Sequence, residues 1–85
     1  MQTFTHVIND PMGLHARPAG LLVKVAAKCP CAVTLTAPTG KADAKRIMAV
    51  MRLAAKQGME LTVTCEGEGE EAAAAELKAF MAENL

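Results

Sequence analysis

Glu60-Leu61-Thr62-Val63-Thr64-Cys65-Glu66 alternates without a fault, with Leu61, Val63 and Cys65 on one side and Thr62, Thr64 and the two glutamates on the other. A period of two marks a strand with one buried and one wetted face. Gly67 and Gly69 end it. From Glu70 to Asn84 the period becomes helical, with Ala73, Leu77, Phe80 or Met81, and Asn84 inward. Glu68, Glu70 and Glu71 gather at the start of that helix, where its dipole favours carboxylates. Upstream, Ala32 to Ala37 repeats the alternation, and Pro38-Thr39-Gly40 turns the chain into a short strand, Lys41 to Asp43. A short helix from Lys45 to Ala55 follows, capped by Asp43 or a neighbour and broken by Gln57-Gly58. At the front, Thr3 to Ile8 reads as a β-branched strand and Asn9-Asp10-Pro11-Met12-Gly13 as a turn. Ala16 to Lys28 then forms a helix on a core stripe of Ala19, Leu22, Val23 and Ala26, stopped by Pro30. The order β-α-β-β-α-β-α, with threonine faces left to solvent, predicts an α+β two-layer sandwich on a largely antiparallel sheet.

At 85 residues the chain has room for one domain, residues 1–85. Folding a chain of this mass buries about 63% of its open surface, enough for a modest core without a metal or disulfide staple. The longest aliphatic run, Leu21-Leu22-Val23, is too short to cross a bilayer, and Met1-Gln2-Thr3-Phe4 lacks the regions of a signal peptide. A cytoplasmic location without membrane insertion is expected. There is no Ser, Tyr or Trp. That excludes a Ser-His-Asp hydrolase and any phosphoserine or phosphotyrosine. Two Phe as the only aromatics argue against a base-stacking nucleic-acid surface. Three cysteines are an odd number, and Cys29-Pro30-Cys31 is not a C-x-x-C. Free, buried or half-buried thiols are expected and no metal site, since His6, His15 and the cysteines lack ligand spacing. His6 reads as a strand or core-rim residue.

The formal net charge is zero, yet residues 1–57 carry eight basic side chains against two acidic, and residues 58–85 one against seven. A basic half of this kind suits docking to acidic partners or anions as well as plain solvation.

The chemistry lies in Gly13-Leu14-His15-Ala16-Arg17-Pro18-Ala19, where a loop enters the first helix. Pro18 suits a first turn because its missing N–H has no intrahelical partner there, although a proline disfavours helical angles at the preceding Arg17. His15 falls at or just before the N-cap, beside the free amides of Ala16 and Arg17. A helix N-terminus is a ready anion site and disfavours an imidazolium, leaving a ring nitrogen free to attack. Arg17 can clamp a phosphoryl group there with a charge-assisted fork. Nucleophile, anion cradle and cation within three residues suit reversible phosphoryl transfer. On the residues alone, a surface His beside a surface Arg is the competing reading.

This stretch closely resembles the active-site signature of the HPr family, the histidine-containing phosphocarriers of the bacterial phosphoenolpyruvate:sugar phosphotransferase system. Lys45-Arg46-Ile47-Met48-Ala49-Val50-Met51 resembles that family's second block, and the resemblance covers essentially the whole chain. It implies an open-faced sandwich: a four-stranded antiparallel sheet with three helices on one face. It implies that His15 takes a phosphoryl group on Nδ1 from the phosphohistidine of enzyme I and passes it to the IIA component of a sugar permease. Phosphoenolpyruvate would be the source and no cofactor is needed. Arg17 would steady the group, the Ala16 and Arg17 amides would cradle it, and Pro18 would shape the helix start. By the same resemblance Ile47, Met48 and Met51 form an exposed apolar contact patch, rimmed by Lys24, Lys28, Lys45, Arg46 and Arg52. Methionine suits a surface that meets several partners. A monomer is expected, because the patch must stay free.

Two positions depart from the family pattern. Many members carry a kinase-modified serine at position 46; here it is Arg46, which has no hydroxyl to phosphorylate. Gly20 stands where a larger small residue is usual, read either as close packing or drift, or as room for a partner beside His15. A specialised paralogue serving a nitrogen-regulatory or single-sugar branch is the alternative within the family. A regulatory binding module that does not use the histidine, and an unrelated ligand- or metal-binding domain, are the alternatives outside that function.

Overall fold

The computed structural model describes residues 1–85. Strands β1 (Gln2–Val7), β2 (Ala32–Ala37), β3 (Gly40–Asp43) and β4 (Glu60–Glu66) form one antiparallel sheet in the order β1-β4-β2-β3. Helices α1 (Ala16–Ala27), α2 (Ile47–Arg52) and α3 (Glu70–Asn84) cover one face of it. The architecture is the open-faced sandwich expected from the sequence, in the expected order.

Register explains the two faces. Val63 of β4 lies opposite Phe4 and Leu35, and Cys65 opposite Gln2 and Val33. Leu61, Val63, Cys65, Val33 and Leu35 are buried beneath the helices. On the open face Thr3, Thr64 and Thr34 form one row and Thr5, Thr62 and Thr36 the next. A slip of one residue would exchange these sets, so the buried set fixes the pairing. Ala19, Leu22 and Ala26 bury the inner side of α1 in the core, with Val23 only half-buried. Ala73, Leu77 and Met81 do the same for α3, while Phe80 and Asn84 sit at the margin.

Strands β2 and β4 and helix α3 keep their predicted bounds. β1 starts and ends one residue early, because Ile8 leaves the ladder to bond Met59 O (3.0 Å) and Gly58 N (2.8 Å). Helix α2 is shorter than the predicted Lys45 to Ala55, at both ends. Asp43 does not cap it: Oδ1 accepts from Lys45 N (2.9 Å) and closes a turn before the helix, whose N-cap is Arg46 with no side-chain capping bond. At the other end Ala54 adopts a left-handed conformation, φ 49°, which no helix continues through. That turn lets Ala55 O accept from Leu14 N (2.9 Å), a bond that holds the loop ahead of His15.

The three cysteines are free and buried. Burial pushes the Cys65 thiol from 9.0 up to about 11, and the Cys29 thiol up as well. His6 lies half-buried opposite Leu61 on the inner face of the edge strand, its buried Nε2 unpaired. No helix is long and apolar enough to cross a membrane.

Candidate functional site

The site is the entrance to α1. His15 is its N-cap, with extended backbone (φ −91°, ψ 179°) and a carbonyl that accepts the first helical bond from Ala19 N at 3.0 Å. Its ring makes no capping bond, so the amides of Ala16 and Arg17 find no acceptor in the chain. Arg17 is helical despite the proline that follows. Pro18 falls within the first turn, where a lost N–H costs nothing, and its ring is buried.

The loop before His15 is seated on the rest of the fold. Gly13 (φ +68°) lies so close to the chain after α2 that a Cβ would meet Ala55 O at 2.5 Å and Lys56 Cα at 2.9 Å. Asp10 O accepts from Gly13 N (2.8 Å), and Asp10 Oδ1 from Met12 N (2.9 Å). Leu85 O accepts from Asp10 N at 3.2 Å, which ties the loop to the end of α3. As a result Asp10, His15, Arg17, Pro18, Glu83 and Asn84 line one shallow cleft of about 250 Å³. Asp10 Oδ2 stands 3.4 Å from His15 Nε2, with both side chains roughly three-tenths exposed.

Sequence reasoning found His15, Ala16, Arg17 and Pro18, and they are together. Arg17 is exposed and has no ion-pair or hydrogen-bond partner, so its guanidinium is free for an anion. Asp10, Glu83 and Asn84 were missed. Asp10 was legible only as a turn residue, and no local signal brings residues 83 and 84 to residue 15. Gly20 is half-buried, and a Cβ there meets nothing within 4 Å, so close packing is not the reason for the glycine.

The apolar patch lies on α2, which packs against α1. Ile47, Met48 and Met51 are 40%, 66% and 37% exposed, while Val50 and Leu53 are turned into the core. Arg46 and Arg52 are exposed beside them, and Lys24 is exposed on the neighbouring α1. Lys45 is not a free member of this rim: Nζ donates to Cys29 O at 2.9 Å and fastens the end of α1 to the start of α2. Arg46 stays exposed at the helix N-terminus, with Nε 3.8 Å from Oδ2 of Asp43, which is also exposed, a solvent-screened pair of little weight.

Residues 2–83 match the family described as "PTS HPr component phosphorylation site". The phosphocarrier protein HPr of Mycoplasma genitalium is 38% identical over 85 residues, covering 99% of this chain and 97% of that protein. A solved structure of a Mycoplasma histidine-containing phosphocarrier protein superposes with a TM-score of 0.93 at 36% identity, over 96% of this chain and 93% of that one. The Bacillus subtilis protein Crh, described as a domain-swapped dimer, gives a TM-score of 0.77 at 36% identity over 94% of this chain and 92% of that one. The chain belongs to the HPr family, phosphocarrier proteins of the bacterial phosphotransferase system.

Proposed function

We propose that residues 1–85 act as one cytoplasmic, monomeric domain that accepts a phosphoryl group on His15 Nδ1 from the phosphohistidine of enzyme I and delivers it to IIA domains of sugar permeases. Phosphoenolpyruvate supplies the group through enzyme I, and no cofactor takes part. The Nδ1 lone pair attacks phosphorus as the donor's N–P bond breaks, and the same exchange runs onward to the acceptor. No covalent help is needed beyond placement and charge. The Ala16 and Arg17 amides and the α1 dipole receive the phosphoryl oxygens, and the free Arg17 guanidinium neutralises the third.

The observation that carries this reading is a partly exposed histidine at a helix N-cap whose first amides and neighbouring arginine are all without partners. Partners meet the face made by Gly20, Lys24, Arg46, Ile47, Met48 and Met51, apolar at the centre and basic at the rim. Such a surface favours quick encounter and quick release. Arg46 offers no hydroxyl, so phosphoserine control at that position is absent. The test is a transfer chain. Protein labelled from phosphoenolpyruvate through enzyme I is separated and mixed with an IIA domain; label moving to IIA supports the reading, and label that stays on the carrier refutes the delivery step.

A further inference from the structure

The phosphocarrier reading leaves open what decides which ring nitrogen attacks. Imidazole has two, and in the neutral ring only the one without the proton is a nucleophile. The helix N-terminus can receive the phosphoryl group but does not fix the ring proton, because the ring makes no capping bond to it. The cleft does contain a chooser. Asp10 Oδ2 is 3.4 Å from Nε2, an ion-pair separation rather than a formed hydrogen bond, and it is the one carboxylate that close to the ring.

We propose that Asp10 is a positioning residue that holds the proton on His15 Nε2, so that Nδ1 keeps the lone pair and takes the phosphoryl group. This inference rests on the phosphocarrier reading of the same site.

Three features make Asp10 suited to the task. Its position is fixed at both ends: the backbone by Leu85 O and Gly13 N, the side chain by Met12 N on Oδ1. That leaves Oδ2 as the free oxygen facing the ring. The charges around the ring are otherwise divided, with Arg17 free on the helix side and Glu83 across the cleft, and neither is ion-paired. Asp10 is the one carboxylate within 4 Å of the ring, and Nε2 is the nitrogen it faces. The step also balances around it. As Nδ1 bonds phosphorus and the donor's N–P bond breaks, the proton stays on Nε2, and the positive charge spread over the ring faces the Asp10 carboxylate. When the group leaves, the ring returns to the same tautomer, ready for another cycle.

The carboxylate acts through the ring and touches no phosphoryl oxygen, so its removal leaves the site present but wrongly protonated. Asp10→Asn is the informative change, because the amide oxygen can still accept from Met12 N while the NH2 group takes the place of Oδ2. An NH2 donor facing Nε2 favours the opposite tautomer.

The experiment compares the ring 15N signals of His15 in the unphosphorylated wild type, Asp10→Asn and Asp10→Glu, with circular dichroism melting on each. Nε2 protonated in the wild type, a shift towards Nδ1 protonation in Asp10→Asn and recovery in Asp10→Glu would support the proposal. Phosphorylation of His15 through enzyme I should then slow in Asp10→Asn by about ten- to a hundredfold, less than the roughly ten-thousandfold loss at a fully buried Asp–His pair. Identical ring signals in the wild type and a folded Asp10→Asn would overturn the proposal. A wild type that shows the expected tautomer yet takes no phosphoryl group would instead overturn the phosphocarrier reading and leave the Asp10 contact standing.

Discussion

Replacing Gly13 and Gly20 by alanine, one at a time, should move stability in opposite directions. At Gly13 the new Cβ would lie 2.5 Å from Ala55 O and 2.9 Å from Lys56 Cα, both main-chain atoms that cannot swing aside. The backbone there has φ +68°, a region that costs an L-residue roughly 1–2 kcal/mol. Relief requires the loop to retreat, which breaks the 2.9 Å bond from buried Leu14 N to Ala55 O. Leaving that amide unpaired costs about 1–3 kcal/mol. The stiffer unfolded chain returns about 0.4–1 kcal/mol. Central values give a net loss of about 3 kcal/mol, which in a domain of this size lowers Tm by roughly 12–24 °C. Gly20 is different: it lies inside α1, has no left-handed φ, and a Cβ there meets nothing within 4 Å. Alanine should gain about 0.5–1 kcal/mol there and raise Tm by roughly 2–8 °C. Far-ultraviolet circular dichroism is the assay, since the chain has no Trp or Tyr to report by fluorescence. A Gly13→Ala protein melting within a few degrees of the wild type, or a Gly20→Ala protein melting lower, would refute the packing described for the His15 loop.

Other outcomes follow from the same geometry. Ala54→Gly relieves the left-handed φ of 49° and should stabilise by about 0.5–1 kcal/mol, read as a higher urea midpoint at unchanged slope. With the Cys65 thiol raised to about 11, the unfolded chain gives up its proton first as pH passes 9, so stability should fall between pH 9 and about 11. The loss from this group totals about 2–3 kcal/mol, and Cys65→Ala should flatten it in urea titrations across that range. Arg17→Gln removes the free guanidinium and should slow phosphorylation about tenfold or more, with melting unchanged because the side chain has no partners. Met48→Glu places a carboxylate on a residue 66% exposed in the basic-rimmed patch; it should weaken transfer to IIA domains without lowering Tm, and equal loss of both would assign Met48 to the core.

The fold was legible where one face of an element is buried and the pattern is local. The alternation in Ala32–Ala37 and Glu60–Glu66 and the helical spacing in Glu70–Asn84 carry their own boundaries. Helix α2 was legible as an element but not in its bounds, because tertiary contacts set its ends. Lys45 N turns to Asp43, and Ala54 turns left-handed so that Ala55 O can reach Leu14 N. No propensity argument ends a helix at Leu53-Ala54-Ala55. At the site, His15 to Pro18 is a contiguous motif and could be read directly. Asp10 was hidden inside turn chemistry, and Glu83 and Asn84 reach the cleft only because the end of α3 folds back beside the Asp10 loop through Leu85 O. Lys45 misled for a related reason: a lysine beside a basic patch reads as free until the structure gives its ammonium a carbonyl partner.

Intact-mass spectrometry after incubation with phosphoenolpyruvate, Mg²⁺ and enzyme I, run beside a His15→Ala control, probes the phosphocarrier reading most directly. The expected result is the addition of one acid-labile phosphoryl group to the wild type and none to the control. No addition with enzymes I from several bacteria, or an equal addition to the His15→Ala protein, would contradict it.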